Sequence, residues 1–121
     1  MLTIYQALVV LAYTKFHAVV IKTKFVGGTP ANPDKLRLFI TDGSFLDIWL
    51  SSDGDYSYHW ERRGQSGEIF RWDNAPHHAH ISTFPDHFHK GDAQTVTKSE
   101  LSSSPQVALH QILTFIQQKV S

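Results

Sequence analysis

Apolar and polar residues alternate along the middle of the chain. The apolar positions of the first two alternating segments are Leu36, Leu38, Ile40, Leu46, Ile48 and Leu50. A period of two is typical of a β-strand with one buried face and one exposed face. Asp42-Gly43-Ser44 and Ser52-Asp53-Gly54 favour a tight turn after each segment. The pattern therefore predicts consecutive antiparallel strands joined by short turns.

A third hairpin follows, and its aromatic residues predict a register. Aromatic side chains occupy alternate positions on both sides of a turn at residues 63–67. If these side chains share one face of the sheet, the pairing of the two strands is determined. The predicted cross-strand pairs are Trp60 with Phe70, Tyr58 with Trp72, His59 with Arg71 and Ser57 with Asp73. The last two pairs gather a histidine, an arginine and a carboxylate on the reverse face.

Helical patterns lie near the two ends of the chain. Apolar residues at helical spacing predict a helix over residues 4–13, and β-branched residues favour a strand within residues 16–26. Ser104 and Pro105 are typical of a helix start. The apolar stripe of this last helix is formed by Leu109, Ile112, Leu113, Ile116 and Val120.

These patterns predict an α+β fold. We expect one antiparallel β-meander of four to six strands, with an N-terminal and a C-terminal helix packed on one face. The chain has 121 residues and a mass of 13.7 kDa. That length fits a single domain over residues 1–121.

Composition excludes several classes of function. Eleven Lys and Arg balance eleven Asp and Glu, whereas proteins that bind duplex nucleic acid are usually basic. The chain has no cysteine, which excludes disulfides, thiolate metal sites and cysteine nucleophiles. Its apolar N-terminal segment is too short to span a bilayer, so we expect no membrane association and a cytoplasmic protein.

Histidine is the unusual feature of the composition. The chain has eight histidines, and six of them lie between His59 and His89. Two His-x-His pairs occur, His78 with His80 and His87 with His89. On extended backbone each pair points both imidazoles to the same side. This segment is therefore the candidate functional site.

Three strings in this region resemble a known family. They are Tyr56-Ser57-Tyr58-His59-Trp60, Arg71-Trp72-Asp73-Asn74-Ala75-Pro76-His77-His78, and Thr83-Phe84-Pro85 followed by His87 and His89. The chain resembles the TumE family of small toxin–antitoxin proteins over about residues 15–115. The resemblance implies a bacterial or archaeal toxin that inhibits growth when unopposed. It also implies a cognate antitoxin as partner, typically a helix-turn-helix protein. In this family another histidine usually stands where this chain has Asp86.

The first functional hypothesis is a metal-independent ribonuclease. Cleavage of a phosphodiester needs a base, an acid and a cation for the phosphate, and histidine serves as acid or base near neutral pH. The candidate catalytic residues are His59, Arg71, Asp73, His77, His78, His87 and His89. In this hypothesis Arg71 holds the phosphate, and Asp73 or Asn74 orients an imidazole. Trp72 or Phe88 would stack on an RNA base, and Asn74 is a further candidate contact to RNA.

Two other hypotheses compete with the ribonuclease. The first is a metal-binding protein or metallohydrolase that holds a divalent transition metal such as zinc. Its candidate ligands are His78, His80, His87 and His89. The other is a non-catalytic domain that binds a partner and whose histidines hold a loop in place. A homodimer is compatible with each of the three hypotheses.

Overall fold

The computed structural model describes all residues 1–121. In chain order the elements are α1 (Leu2–Lys15), β1 (Val20–Val26), β2 (Lys35–Ile40), β3 (Phe45–Leu50), β4 (Tyr56–Arg62), α2 (Arg63–Ser66), β5 (Glu68–Asp73), β6 (His87–Gly91), β7 (Val96–Lys98) and α3 (Pro105–Val120). The seven strands form one sheet in sequential order, and every neighbouring pair is antiparallel. The predicted α+β meander is confirmed, with seven strands rather than four to six.

The additional strands come from the histidine-containing part of the chain. β6 and β7 are short and mostly polar, so they carry little of the apolar alternation that predicts a strand. The turn predicted between β4 and β5 contains one turn of helix, α2. Gly67 ends this helix with a φ of 78°, a left-handed conformation that glycine adopts without a steric cost.

The predicted register of β4 and β5 is confirmed. Trp60 lies opposite Phe70, and His59 lies opposite Arg71. The pairing continues into β6, where His89 lies opposite Arg71 and His87 lies opposite Asp73. Polar side chains from three neighbouring strands therefore meet on one face of the sheet.

The two long helices cover the other face, as predicted. Twenty-one buried residues form one hydrophobic cluster, to which α1, α3 and the sheet all contribute. Phe115 of α3 packs edge-on against the rings of Trp60, Phe70 and Trp72. The Trp60 indole Nε1 donates a buried hydrogen bond of 2.8 Å to Ser44 Oγ, so the one polar atom of this large ring is satisfied.

The face opposite the helices, called here the open face, carries a row of polar side chains. The row crosses five strands and consists of Arg37, Asp47, His59, Arg71 and His89. The core stabilises the sheet from one side, which leaves the open face available for chemistry. None of the helices is both long enough and apolar enough to cross a membrane.

Candidate functional site

Asp73, at the end of β5, lies at the centre of the polar side chains on the open face. It is buried, and it accepts hydrogen bonds from Arg71 Nε at 2.9 Å and from the backbone N–H of Ala75 at 2.9 Å. His87 Nε2 lies 3.0 Å from one carboxylate oxygen, and His89 Nε2 lies 3.5 Å from the other. A buried carboxylate requires such partners, so Asp73 organises the groups around it.

The hydrogen bonds of the two imidazoles determine their tautomers. His87 Nδ1 lies 3.0 Å from the carbonyl oxygen of Pro85, and His89 Nδ1 lies 3.0 Å from that of Ala93. Because a carbonyl oxygen only accepts, each Nδ1 carries a proton and donates it. The two Nε2 atoms, 3.1 Å apart, therefore face each other and Asp73. In this tautomer each Nε2 presents a lone pair, which can accept a hydrogen bond or bind a cation.

His59 lies on the other side of Arg71. Its Nε2 is 3.1 Å from Glu61 Oε1, and its Nδ1 is 3.4 Å from Arg71 Nη1. The hydrogen bond from Arg63 lowers the pKa of Glu61 to about 2, so Glu61 is ionised and accepts a hydrogen bond from His59 Nε2–H. Burial lowers the pKa of His59, although Glu61 acts in the opposite direction. Neutral His59 then presents the lone pair of Nδ1 towards Arg71.

The segment between β5 and β6, residues 74–86, brings a third imidazole to the pair. The His78 ring packs edge-on against His87, with ring centroids 4.6 Å apart. One ring nitrogen from each of His78, His87 and His89 lies within 4.8 Å of the other two. His77 and His80 are exposed on this segment and do not belong to that group. Three of the four predicted metal ligands therefore come together, and His80 does not.

Local contacts hold this segment against the sheet. The Tyr56 hydroxyl donates a hydrogen bond of 2.8 Å to Asp86, and burial raises the pKa of Tyr56. Asn74 Oδ1 accepts from the backbone N–H of Tyr56, and its Nδ2 donates to the carbonyl of Gly54, each at 3.0 Å. Asn74 thus holds the end of β5 to the turn before β4 and does not orient an imidazole.

The predicted base-stacking residues lie on the other face. Trp72 is 7% exposed, and its ring stacks on Phe88 with centroids 4.5 Å apart. Both rings pack against Phe115 of α3, so neither shares a face with the histidines. The exposed indole on the open face belongs to Trp49, which the sequence analysis did not select. Trp49 lies between Ile48 and Leu50, which face the core, so the alternation of the strand indicates that Trp49 faces the other way.

Comparison of the chain with known proteins finds one matching family. Neither the curated proteins nor the solved structures contain a match to the chain. The family described as Toxin TumE matches residues 13–120, which is nearly the whole chain. The resemblance noted from the sequence is therefore confirmed. The chain belongs to the TumE toxin family and is a toxin-like component of a toxin–antitoxin system.

Proposed function

We propose that this toxin is a metal-independent ribonuclease whose site lies on the open face of the sheet. One observation carries the proposal. The register of β4, β5 and β6 places Arg71 directly between His59 and His89. Neighbouring strands lie about 4.8 Å apart, so a phosphate held by Arg71 has one imidazole on each side. A guanidinium flanked by two imidazoles supplies the cation, the base and the acid that phosphodiester cleavage needs.

The proposed reaction is an internal transesterification of RNA. A base removes the proton from a 2′-OH, the 2′-oxygen forms a bond to phosphorus, and the bond from phosphorus to the 5′-oxygen breaks. An acid donates a proton to the departing 5′-oxygen. The products are a 2′,3′-cyclic phosphate and a free 5′-OH, and no metal or co-reactant is consumed.

His59 is the proposed base. A base must be neutral before it accepts a proton, and burial of His59 favours the neutral form. Ionised Glu61 accepts from Nε2, which keeps the lone pair on Nδ1 beside Arg71. Glu61 also stabilises the imidazolium that forms when His59 takes up the proton, which is a positioning and electrostatic role.

His89 is the proposed acid, supported by its neighbour His87. A proton shared between their Nε2 atoms satisfies both nitrogens and places a positive charge beside Asp73. His89 is the more exposed of the two imidazoles, so it is the one that reaches a bound substrate. Burial lowers the pKa of His89, which makes its imidazolium a stronger acid, and the Asp73 carboxylate acts in the opposite direction by favouring the charged form that the acid requires.

Arg71 is the proposed phosphate ligand. Its Nε donates to Asp73, which orients the guanidinium, and its Nη1 lies 3.4 Å from His59 Nδ1. A planar guanidinium with several donors suits the oxygens of a phosphate. The Arg71 side chain is partly exposed, as a residue that contacts substrate must be.

We infer a second candidate function, metal-dependent hydrolysis, from the same atoms. His87 Nε2 lies 3.0 Å from Asp73 Oδ1 and 3.1 Å from His89 Nε2. A tetrahedral zinc ion with bonds of about 2.0–2.1 Å separates its ligands by about 3.3 Å. Histidines that bind a metal through Nε2 usually donate a hydrogen bond from Nδ1 to a carbonyl or carboxylate, as His87 and His89 do here. His78 would be a further ligand.

The partner of the toxin is a cognate antitoxin, as membership of a toxin family suggests. We propose that the antitoxin is a helix-turn-helix protein, that both proteins act in the cytoplasm, and that the toxin self-associates as a homodimer. Co-expression of the toxin with the product of a neighbouring gene, followed by co-purification and measurement of mass in solution, tests the partner and the dimer together.

The deciding experiment combines metal analysis with RNA cleavage by untagged protein. We expect no stoichiometric metal, cleavage that persists in chelator, and products that end in a 2′,3′-cyclic phosphate. One equivalent of metal together with loss of cleavage on chelation would establish the second candidate instead. Protein that inhibits growth but neither cleaves RNA nor holds metal would overturn both. The open face would then be a surface for binding a partner.

A further inference from the structure

Trp49 is a large aromatic residue exposed beside the proposed site. It is 38% exposed, whereas the other two tryptophans, Trp60 and Trp72, are buried. On the open face it lies between Lys35 and Ser57 in the cross-strand register. It contributes little to the core, and an exposed indole next to charged groups is typical of a residue that contacts a ligand.

Two neighbouring cavities meet at this tryptophan. The first has a volume of about 340 Å³, near the lower limit of small-ligand pockets, and Lys35, His59 and Arg71 lie in its wall. The second has a volume of about 260 Å³ and extends towards Asp73 and Pro76. Trp49, Ser57 and Arg71 line both cavities. Trp49 and Arg71 therefore lie where a chain-like ligand would pass from one cavity to the other.

The charges around the first cavity favour a phosphate. Its wall includes the carboxylate of Asp47, but Arg37 neutralises that group through two hydrogen bonds of 2.7 and 2.9 Å. Lys35 takes part in none of the ion pairs of the chain. The Lys35 ammonium, together with the part of the Arg71 guanidinium beyond the Nε that pairs with Asp73, supplies the cations that a bound anion would meet.

Because the chain has no net charge, a stacking contact would add affinity that electrostatics does not supply. Eleven basic residues balance eleven acidic residues, so a broad electrostatic attraction to RNA is missing. Stacking of a base on an aromatic ring provides affinity that is independent of net charge and tolerant of sequence. Bases are free to stack in this way only in single-stranded RNA.

We propose that Trp49 is the stacking platform for a base of single-stranded RNA adjacent to the phosphate held by Arg71. Lys35 binds a neighbouring phosphate of the same strand. This inference rests on the proposed ribonuclease function and names its substrate class. It also replaces Trp72 and Phe88, which face the helices, as the aromatic contact to RNA.

Tryptophan fluorescence tests the platform without cleavage. The probe is a ten-residue 2′-O-methyl oligouridylate, which has no free 2′-OH and therefore cannot undergo the proposed reaction. We expect it to quench the emission of Trp49, because the two other indoles are buried. Titration followed by fluorescence anisotropy of a labelled probe should show that Trp49→Ala weakens binding by about 10-fold or more, and that Trp49→Phe retains most of the affinity.

Phe25→Ala is the matched control. Phe25 is 39% exposed, nearly the same as Trp49, but lies on edge strand β1 and packs near Tyr5 on the helix side. We expect this variant to bind the probe as the original chain does. Equal losses in Trp49→Ala and Phe25→Ala would show a general effect on folding and overturn the platform.

The outcomes separate this inference from the proposed reaction. Cleavage of unmodified RNA with a KM that Trp49→Ala leaves unchanged would overturn the platform and retain the ribonuclease. Quenching by the probe without any cleavage of unmodified RNA would support Trp49 as an RNA contact and overturn the ribonuclease. A probe that neither quenches nor binds would overturn the platform.

Discussion

His87 and His89 direct their Nε2 atoms at each other across 3.1 Å, and each donates through Nδ1 to a backbone carbonyl. Their nitrogens are therefore held in a fixed orientation towards Asp73. The two imidazoles and Asp73 therefore form one cluster where β5 ends and β6 begins.

Replacement of His89 should slow cleavage strongly, whereas replacement of His77 should not. His89→Ala removes the proposed acid, and general acid catalysis typically contributes a factor of 10²–10⁴ to the rate. We expect a loss of about 100-fold or more in initial rate on a fluorogenic RNA. His77→Ala is the control, because His77 is exposed outside the group of converging imidazoles. Equal losses in the two variants would contradict this assignment of the acid.

Replacement of Asp73 should destabilise the protein. Asp73→Ala leaves the buried His87 Nε2 and one N–H of Arg71 without their carboxylate. Breaking a buried, hydrogen-bonded pair usually costs about 3–5 kcal/mol, and urea unfolding followed by circular dichroism measures the change. Asp53→Ala, at an exposed turn, should stay within about 0.5 kcal/mol of the original chain. If Asp73→Ala lowers the free energy of unfolding by less than about 1 kcal/mol, the cost of burying the carboxylate offsets the stabilisation from its hydrogen bonds and ion pairs.

The rate of cleavage should fall on acidification at pH values below the ordinary pKa of histidine. Burial lowers the pKa of His59, so the proposed base stays neutral at pH values where an exposed histidine is protonated. Glu61 opposes that shift, so Glu61→Gln should lower the pKa of His59 further and move the acid limb of kcat/KM to lower pH. A shift of the limb to higher pH in Glu61→Gln would contradict His59 as the base.

Loss of one buried hydroxyl should weaken the core without affecting chemistry directly. Ser44→Ala leaves the Trp60 indole N–H buried without an acceptor, which costs about 1–3 kcal/mol. We expect a lower midpoint of urea unfolding, with kcat/KM for RNA unchanged under conditions where the protein stays folded. Ser52→Ala, at an exposed turn, is the control. An unchanged midpoint in Ser44→Ala would mean that another group accepts the hydrogen bond of the Trp60 indole N–H.

The local part of the fold was predictable because it depends on neighbouring residues. Alternation over β2 to β5 indicated which face of each strand is apolar, and a short connection then determined the pairing of β4 with β5. For that reason the position of His59 opposite Arg71 followed from the sequence. The apolar stripe of α3 similarly indicated the side on which it packs.

The β6 pairing was not predictable in this way. β6 begins at His87 after the whole of residues 74–86, and its residues include a single large apolar side chain, Phe88. No short turn links it to β5, so neither its pairing nor its register follows from local pattern. The candidate acid pair depends on that register, because a slip of one residue would turn both histidines towards the helices.

The sequence by itself determined that this chain is an α+β member of the TumE toxin family, and it indicated the region from His59 to His89 as the candidate site. Only the tertiary structure decided that His87 and His89 meet Asp73, and that Trp72 is buried while Trp49 is exposed. The physical reason is the range of the interactions involved. Side-chain alternation and turns act between neighbours, whereas strand pairing and helix packing bring together residues that are distant along the chain.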